Sequence, residues 1–226
     1  MLLPSPTRLT GGRNYSALQL DDAPRWFAAL RVRAGVSARA LEFQALTAAR
    51  TGAVRFATWE EIDLNRGLWT IQPGREASKI PPSGRPHRVP LTPAMLSLLD
   101  GLPRAYGSQL VFWAPRGGPL SDAALGEVMR KVHAADIRAE RRGFLDVRSG
   151  QAAVPHGLRS TFRTWVAERT SFAGDMAEIA LAHKVGTKVQ QAYDRSDQVE
   201  KRRKMMVAWG RFLAGEADEK VVALRG

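Results

Sequence analysis

Six side chains in this 226-residue chain have chemistry that suits a phosphate: Arg50, Lys79, His156, Arg159, His183 and Tyr193. Arginine offers a planar fork of donors, lysine a point charge and a proton, histidine a proton donor or acceptor near neutral pH, and tyrosine a nucleophilic hydroxyl. His156 and Arg159 are spaced to project over one helical turn, so they can grip a single anion from the same side. Each residue also has a structural reading when taken alone. Arg50 closes a helix, where the macrodipole favours a cation. Lys79 is an ordinary solvated lysine, His183 a core histidine, and Tyr193 a half-buried ring with its hydroxyl on a surface partner.

Composition narrows the chemistry. With 34 basic against 22 acidic residues the chain carries +12 and a pI near 10.9, which points to an anionic partner such as nucleic acid. The basic residues are mostly arginine, so codon bias is a competing account of the charge. The absence of cysteine excludes disulfide scaffolds, thiol catalysis and thiolate zinc sites, and four histidines argue against a metal cage. No apolar run approaches the ~18–20 residues of a membrane span, and no signal-peptide core follows Met1. A soluble, cytoplasmic protein with no membrane partner is expected.

These residues must be positioned by a mainly α fold with a small antiparallel β-hairpin sheet. Residues 1–14 read as a flexible linker end and 214–226 as a C-terminal tail, leaving 15–213 as one domain. Asp21, Asp22 and Pro24 start a helix with Trp26, Phe27 and Leu30 inside, stopped at Gly35. A second helix runs from about Ser37 to Arg50 and is apolar nearly all round, hence buried. Strands over 68–72 and 86–91 form a hairpin whose long loop, 73–85, holds Arg75, Lys79 and Arg85. Thr92 and Pro93 begin the next helix, 109–113 adds a short strand, and Ser121 caps a helix through about His133. The arginine-dense run 138–148 reads as a solvated loop or basic rim.

Downstream, Leu158, Phe162, Trp165 and Val166 form an apolar stripe beside His156, Arg159 and Arg163. Over 174–183 a helix aligns His183 with Met176, Ile179 and Ala180. A short polar helix ends near Tyr193, and a last helix from about Asp197 presents Val199, Met206, Trp209 and Leu213 for docking on its own domain or a neighbour.

The order and surroundings of these residues resemble the tyrosine recombinases, the phage-integrase family, in its P4-like branch. Arg50 stands nine residues before Trp59, with Ile62 and Asp63 following. The return strand reads His87-Arg88-Val89-Pro90-Leu91. Then come His156-Gly157-Leu158-Arg159, Leu181-Ala182-His183 and Lys188-Val189-Gln190-Gln191-Ala192-Tyr193. The similarity covers residues 20–213.

That resemblance implies a catalytic domain that cuts and rejoins DNA strands. Arg50 and Arg159 clamp the nonbridging oxygens, and His156 and His183, near their ordinary pKa of about 6.5, bind the phosphate or move a proton. Lys79 protonates the leaving 5′ oxygen, and Tyr193 attacks to leave a 3′-phosphotyrosine, with neither metal, cofactor nor ATP. Arg75, Arg85, Arg163, Lys184 and Lys188 are further candidate DNA contacts. The implied partner is double-stranded DNA at attachment sites, bound by a tetramer on synapsed duplexes and by a monomer in isolation, in a bacterium, phage or integrative element. The resemblance implies that the upstream DNA-binding domains of the family are absent here, and two positions depart from the family pattern. Ala53 stands where an acidic residue usually buttresses the first arginine, with Glu60 or Glu61 as possible substitutes, and Phe56 replaces a glycine. Competing readings are a DNA-binding remnant that no longer cleaves and a topoisomerase-like relaxing activity.

Overall fold

The computed structural model describes residues 15–104, 107–183, 185 and 197–216. Its architecture is mainly helical with a small antiparallel sheet, as the sequence leads one to expect. Helix α1 (Ala23–Arg31) is followed by α2 (Val36–Thr47) and the short α3 (Thr51–Arg55). Strands β1 (Ile62–Asp63), β2 (Leu68–Ile71) and β3 (His87–Pro90) pair antiparallel in the order β1-β2-β3, with Trp69 opposite both Ile62 and Val89. Then come α4 (Pro93–Asp100), α5 (Ala124–Arg138), α6 (Gly157–Arg169), α7 (Gly174–Ala180) and α8 (Val199–Leu213).

Helix α2 is the hub, packed against α1, α3, α4, α5 and α8. Its apolar residues face every direction, so even its polar residues are buried and need partners. Glu42 finds them in Arg39 (2.6 Å) and Arg31 (3.4 Å), and Gln44 donates to Thr51 Oγ1 (3.0 Å) and the Pro155 carbonyl (3.1 Å). Gln44 thereby ties α2 both to the start of α3 and to the segment entering α6. Trp209 and Phe212 of α8 join the same core rather than presenting themselves to a neighbour. Trp209 is 1% exposed and donates to the Ala45 carbonyl at 2.8 Å, and Phe212 stacks on its ring.

Several boundaries differ from those expected. Helix α2 begins after Gly35, whose φ of +98° suits glycine, and not at Ser37. It ends at Thr47, three residues short of Arg50, because Ala48 turns left-handed (φ 52°). The segment around 109–113 forms no strand; it contributes the isolated bridges Thr58–Leu110 and Trp113–Pro119, while the third strand comes from Ile62–Asp63. Helix α5 runs on to Arg138. The arginines of the run that follows are exposed, as expected of a solvated basic rim, and Arg141 and Arg142 also anchor it by holding the buried carboxylates of Asp136 (2.6 Å) and Asp22 (2.8 Å). Among the described residues no helix is long and apolar enough to cross a membrane.

Candidate active site

Arg50 reaches the site from a different backbone than a helix end. It is extended (φ −67°, ψ 142°) and occupies the N-cap of α3, so the favourable C-terminal macrodipole expected for it is absent. Its Nη2 donates to the Ala182 carbonyl at 3.4 Å, and burial lowers its pKa. The nearest carboxylate along α2, Glu42, is taken by Arg39 and Arg31, and Glu61 is taken by Arg75 (2.7 Å). Neither Glu42 nor Glu61 therefore supports Arg50 in place of the acidic residue that position 53 lacks.

Arg159 lies on the buried face of α6, 5% exposed. Its Nη1 donates to the Ala48 carbonyl (2.8 Å) and its Nη2 to the Leu181 carbonyl (2.7 Å), with His183 Nε2 3.0 Å away. Both carbonyls belong to tight turns beside left-handed alanines, Ala48 and Ala182 (φ 52° each), so the guanidinium is fixed by the two loops that carry Arg50 and His183. Burial, then the neighbouring charge of Arg50, push its pKa down to about 9 against the pull of Glu178; it remains a cation at neutral pH. Two arginines lining one pocket with no carboxylate ion-paired to either among the described residues make a site that favours an anion.

The two histidines are set differently. His156 is the N-cap residue of α6, and its ring meets Tyr15 at 4.2 Å between centroids. Burial, then the charges of Arg159, Arg50 and His183, lower its pKa, so the ordinary value expected from sequence does not hold. The glycine between this histidine and Leu158 has a steric cause: a Cβ on Gly157 would collide with the Ser16 carbonyl, where the incoming chain crosses α6. His183 stands beyond α7, which stops at Ala180, and so does not lie in the helical stripe expected for it. Its Nδ1 meets Glu178 Oε2 at 2.6 Å while Nε2 faces Arg159.

Glu178 is a residue the sequence reading passed over. Besides His183 it holds Arg163 (2.5 Å), which is thus an internal ion-pair partner as well as a candidate DNA contact. Burial opposes its charge, but the hydrogen bonds from Arg163 and His183 outweigh that and lower its pKa. Such a carboxylate fixes the ring orientation and tautomer of the histidine it holds.

A pocket between α3, the hairpin and the turn after α7 is lined by Arg50, Arg159, Ser78, Ile80 and His87. His87 also escaped notice as a site residue. Burial, then the charges of Arg202, Arg50 and Arg159, push it down to about 3 against a hydrogen bond with the Ala180 backbone, so it is neutral at physiological pH. Lys79 is exposed between the two pocket-lining residues Ser78 and Ile80, with φ +62°. Arg75 is held on the same loop by Glu61 and by the Ala53 carbonyl (2.9 Å), and Arg85 is exposed farther along it. The structure thus brings Arg50, Arg159 and the Lys79 loop to one pocket and His183 against Arg159. Tyr193, Lys184 and Lys188 lie outside the described residues.

The geometry agrees with comparison to known proteins. Residues 17–200 match the model of the phage integrase family. The chain belongs to that family. It is 32% identical over 199 residues to prophage integrase IntA of Escherichia coli K12, covering 87% of this chain and 44% of IntA. To the integrase of enterobacteria phage P4 it is 28% identical over 217 residues, covering 90% of this chain and 46% of that protein. It therefore spans a little under half the length of these curated relatives. Among solved structures it is similar to a lambda integrase fragment whose dimer was crystallised on a COC′ core site, at TM-score 0.53 and 20% identity, covering 79% of this chain and 62% of that one.

Proposed function

We propose that this chain is the catalytic domain of a site-specific DNA recombinase that cuts and rejoins strands through a 3′-phosphotyrosine on Tyr193. The observation that carries the reading is the pair of arginines, Arg50 and Arg159, lining one pocket beside His183 and the lysine loop with no direct carboxylate partner among the described residues. Family membership supplies the rest.

In the forward step the Tyr193 oxygen attacks phosphorus, a Tyr O–P bond forms and the P–O5′ bond breaks. The phenolic proton leaves through His156 or His183, and Lys79 delivers a proton to the departing 5′ oxygen. The phosphodiester keeps its single negative charge, while Arg50 and Arg159 offset the charge that builds on its nonbridging oxygens. One ester is exchanged for another, so rejoining to a second strand's 5′ hydroxyl requires no external energy. The partner is double-stranded DNA at attachment sites, with assembly to a tetramer on two synapsed duplexes and a monomer in its absence.

The test is covalent trapping. A nicked duplex bearing the attachment site of the element that encodes the chain should yield a denaturant-resistant protein–DNA adduct, abolished by Tyr193→Phe. An adduct that persists in Tyr193→Phe would move the nucleophile elsewhere. One observation favours a second reading, a remnant that binds but cleaves weakly: neither Glu42 nor Glu61 reaches Arg50. On that reading the parent yields little adduct and Ala53→Glu yields more.

A further inference from the structure

We infer that Arg75, anchored by Glu61, is a positioning residue that docks the Lys79 loop on α3 and thereby sets where the proposed acid meets the scissile phosphate. The inference rests on the function proposed above for Lys79.

The contacts form a chain from the sheet to the loop. Glu61 closes a 3-10 turn (Trp59–Glu61), where one carboxylate oxygen accepts from Trp69 Nε1 of β2 (3.0 Å) and from the Thr58 amide (3.4 Å). Its other oxygen meets Arg75 Nε at 2.7 Å, and Arg75 Nη2 donates to the Ala53 carbonyl of α3 at 2.9 Å. Arg75 is thus gripped from both sides near the start of the loop. Beyond it the backbone folds onto itself: the Ser78 amide donates to the Arg75 carbonyl (3.2 Å), the Ile80 amide to Ser78 Oγ (3.1 Å) and the Gly74 amide to the Ile80 carbonyl (2.9 Å). The loop rests directly on α3, since a Cβ on Gly52 would lie 2.6 Å from the Ala77 carbonyl oxygen.

Two non-glycine residues of this loop, Ala77 (φ 56°) and Lys79 (φ 62°), adopt the left-handed region. Each such residue costs about 1 kcal/mol or more and persists only where its surroundings over-determine it. Ser78 is buried and Ile80 packs on the core, so the backbone on either side of Lys79 is held while the lysine itself stays exposed at the pocket rim.

Stability alone is a poor account of the Glu61–Arg75 pair. Both groups are buried, and desolvation outweighs their mutual attraction: the Glu61 pKa is raised and that of Arg75 lowered. Arg75 Nη1 is also buried without a hydrogen-bond partner among the described residues. An apolar pair of similar size would fold as well or better. What such a pair would lose is the directional contact to the Ala53 carbonyl.

The experiment uses that difference. Removing one partner would leave a buried charge, so the informative variant replaces both, Glu61→Leu with Arg75→Met. It is compared with the parent and with Lys79→Ala on two nicked attachment-site duplexes. One carries the natural 5′ bridging oxygen, and the other carries sulfur there, a leaving group that departs without protonation. The double variant should cleave the oxygen substrate roughly 10- to 100-fold more slowly, within the range that a general acid supplies. On the sulfur substrate it should return to within about threefold of the parent, as Lys79→Ala should. Hydrogen exchange at the Gly74 and Ile80 amides should rise in the same variant.

Equal losses on both substrates, no loss on either, or unchanged exchange at those amides would each overturn the positioning role. Failure of sulfur to rescue Lys79→Ala would instead strike the function proposed for Lys79, and the inference would fall with it.

Discussion

At the scale of single residues, the candidate groups are legible once their types and order are read together, and the groups that orient them are not. Arg159, His156 and His183 are visible because an anion-gripping pair and a downstream histidine have recognisable spacings. Glu178 is hidden because α7 ends at Ala180 and the chain turns back through left-handed Ala182, bringing His183 onto a carboxylate that a continuous helix would have set apart from it. His87 was legible only as part of a strand motif, yet it has the most specific electrical consequence. Its pKa falls to about 3 and that of His156 is lowered as well, so both protonate less readily in the fold than in the unfolded chain. The unfolded state then binds more protons below about pH 6.5, and stability must fall as pH drops from there toward 3. The groups that face His87 are the cations Arg202, Arg50 and Arg159, which act in the same direction. His87→Gln keeps an amide donor without a titrating charge. Between pH 6.5 and 4.5 its unfolding free energy should decline less steeply than the parent's, by at most about 1.4 kcal/mol per pH unit. Denaturant titrations of both proteins measure this, and parallel slopes would remove His87 from the account.

At the scale of elements, the helices with one apolar stripe and a cap were legible, as α4 shows: Thr92 takes the cap position, its amide donating to Met95 Sδ at 3.4 Å, and Pro93 fills the first turn. What misled was local signal that tertiary contacts override. The apolar run through α2 gives no hint that Ala48 turns left-handed, and that turn supplies the carbonyl that fixes Arg159. On α8, Arg202 is 1% exposed and donates to the carbonyls of Asp197 (2.7 Å) and Arg88 (2.8 Å). Arg88 in turn grips Asp197 through both oxygens (2.5 and 2.8 Å). Together they staple the start of α8 to β3, immediately after the segment that carries Tyr193. Burial pushes the Arg202 pKa down to about 10 and it remains charged, so truncation would leave two carbonyls unsatisfied. Arg202→Ala should cost on the order of 3 kcal/mol and lower Tm by roughly 6–12 °C. Calorimetry would check it, and a change below about 1 kcal/mol would mean that water replaces the guanidinium.

At the scale of the whole molecule, the net charge of +12 predicts an anionic partner but says nothing about where the partner lies, because charge is summed without position. Position shows how unevenly that charge is available. Arg75, Arg141, Arg142, Arg163 and Arg203 are spoken for by carboxylates of the chain itself, and Arg202 is buried against backbone carbonyls. Lys79, by contrast, is exposed at the rim of the pocket that Arg50 and Arg159 line. If duplex DNA sits across that pocket, binding should weaken with salt, and each cation that displaces a counterion should contribute about 0.9 to the slope of log affinity against log salt concentration. Lys79→Ala should therefore reduce the slope by about one contact, whereas Arg142→Ala should leave it unchanged because Arg142 is occupied by Asp22. Anisotropy titrations of a labelled duplex between about 50 and about 200 mM salt would separate the two. Equal reductions from both variants would mean that the protein attracts DNA as an undirected field, and the pocket would lose its claim to be where the phosphate binds.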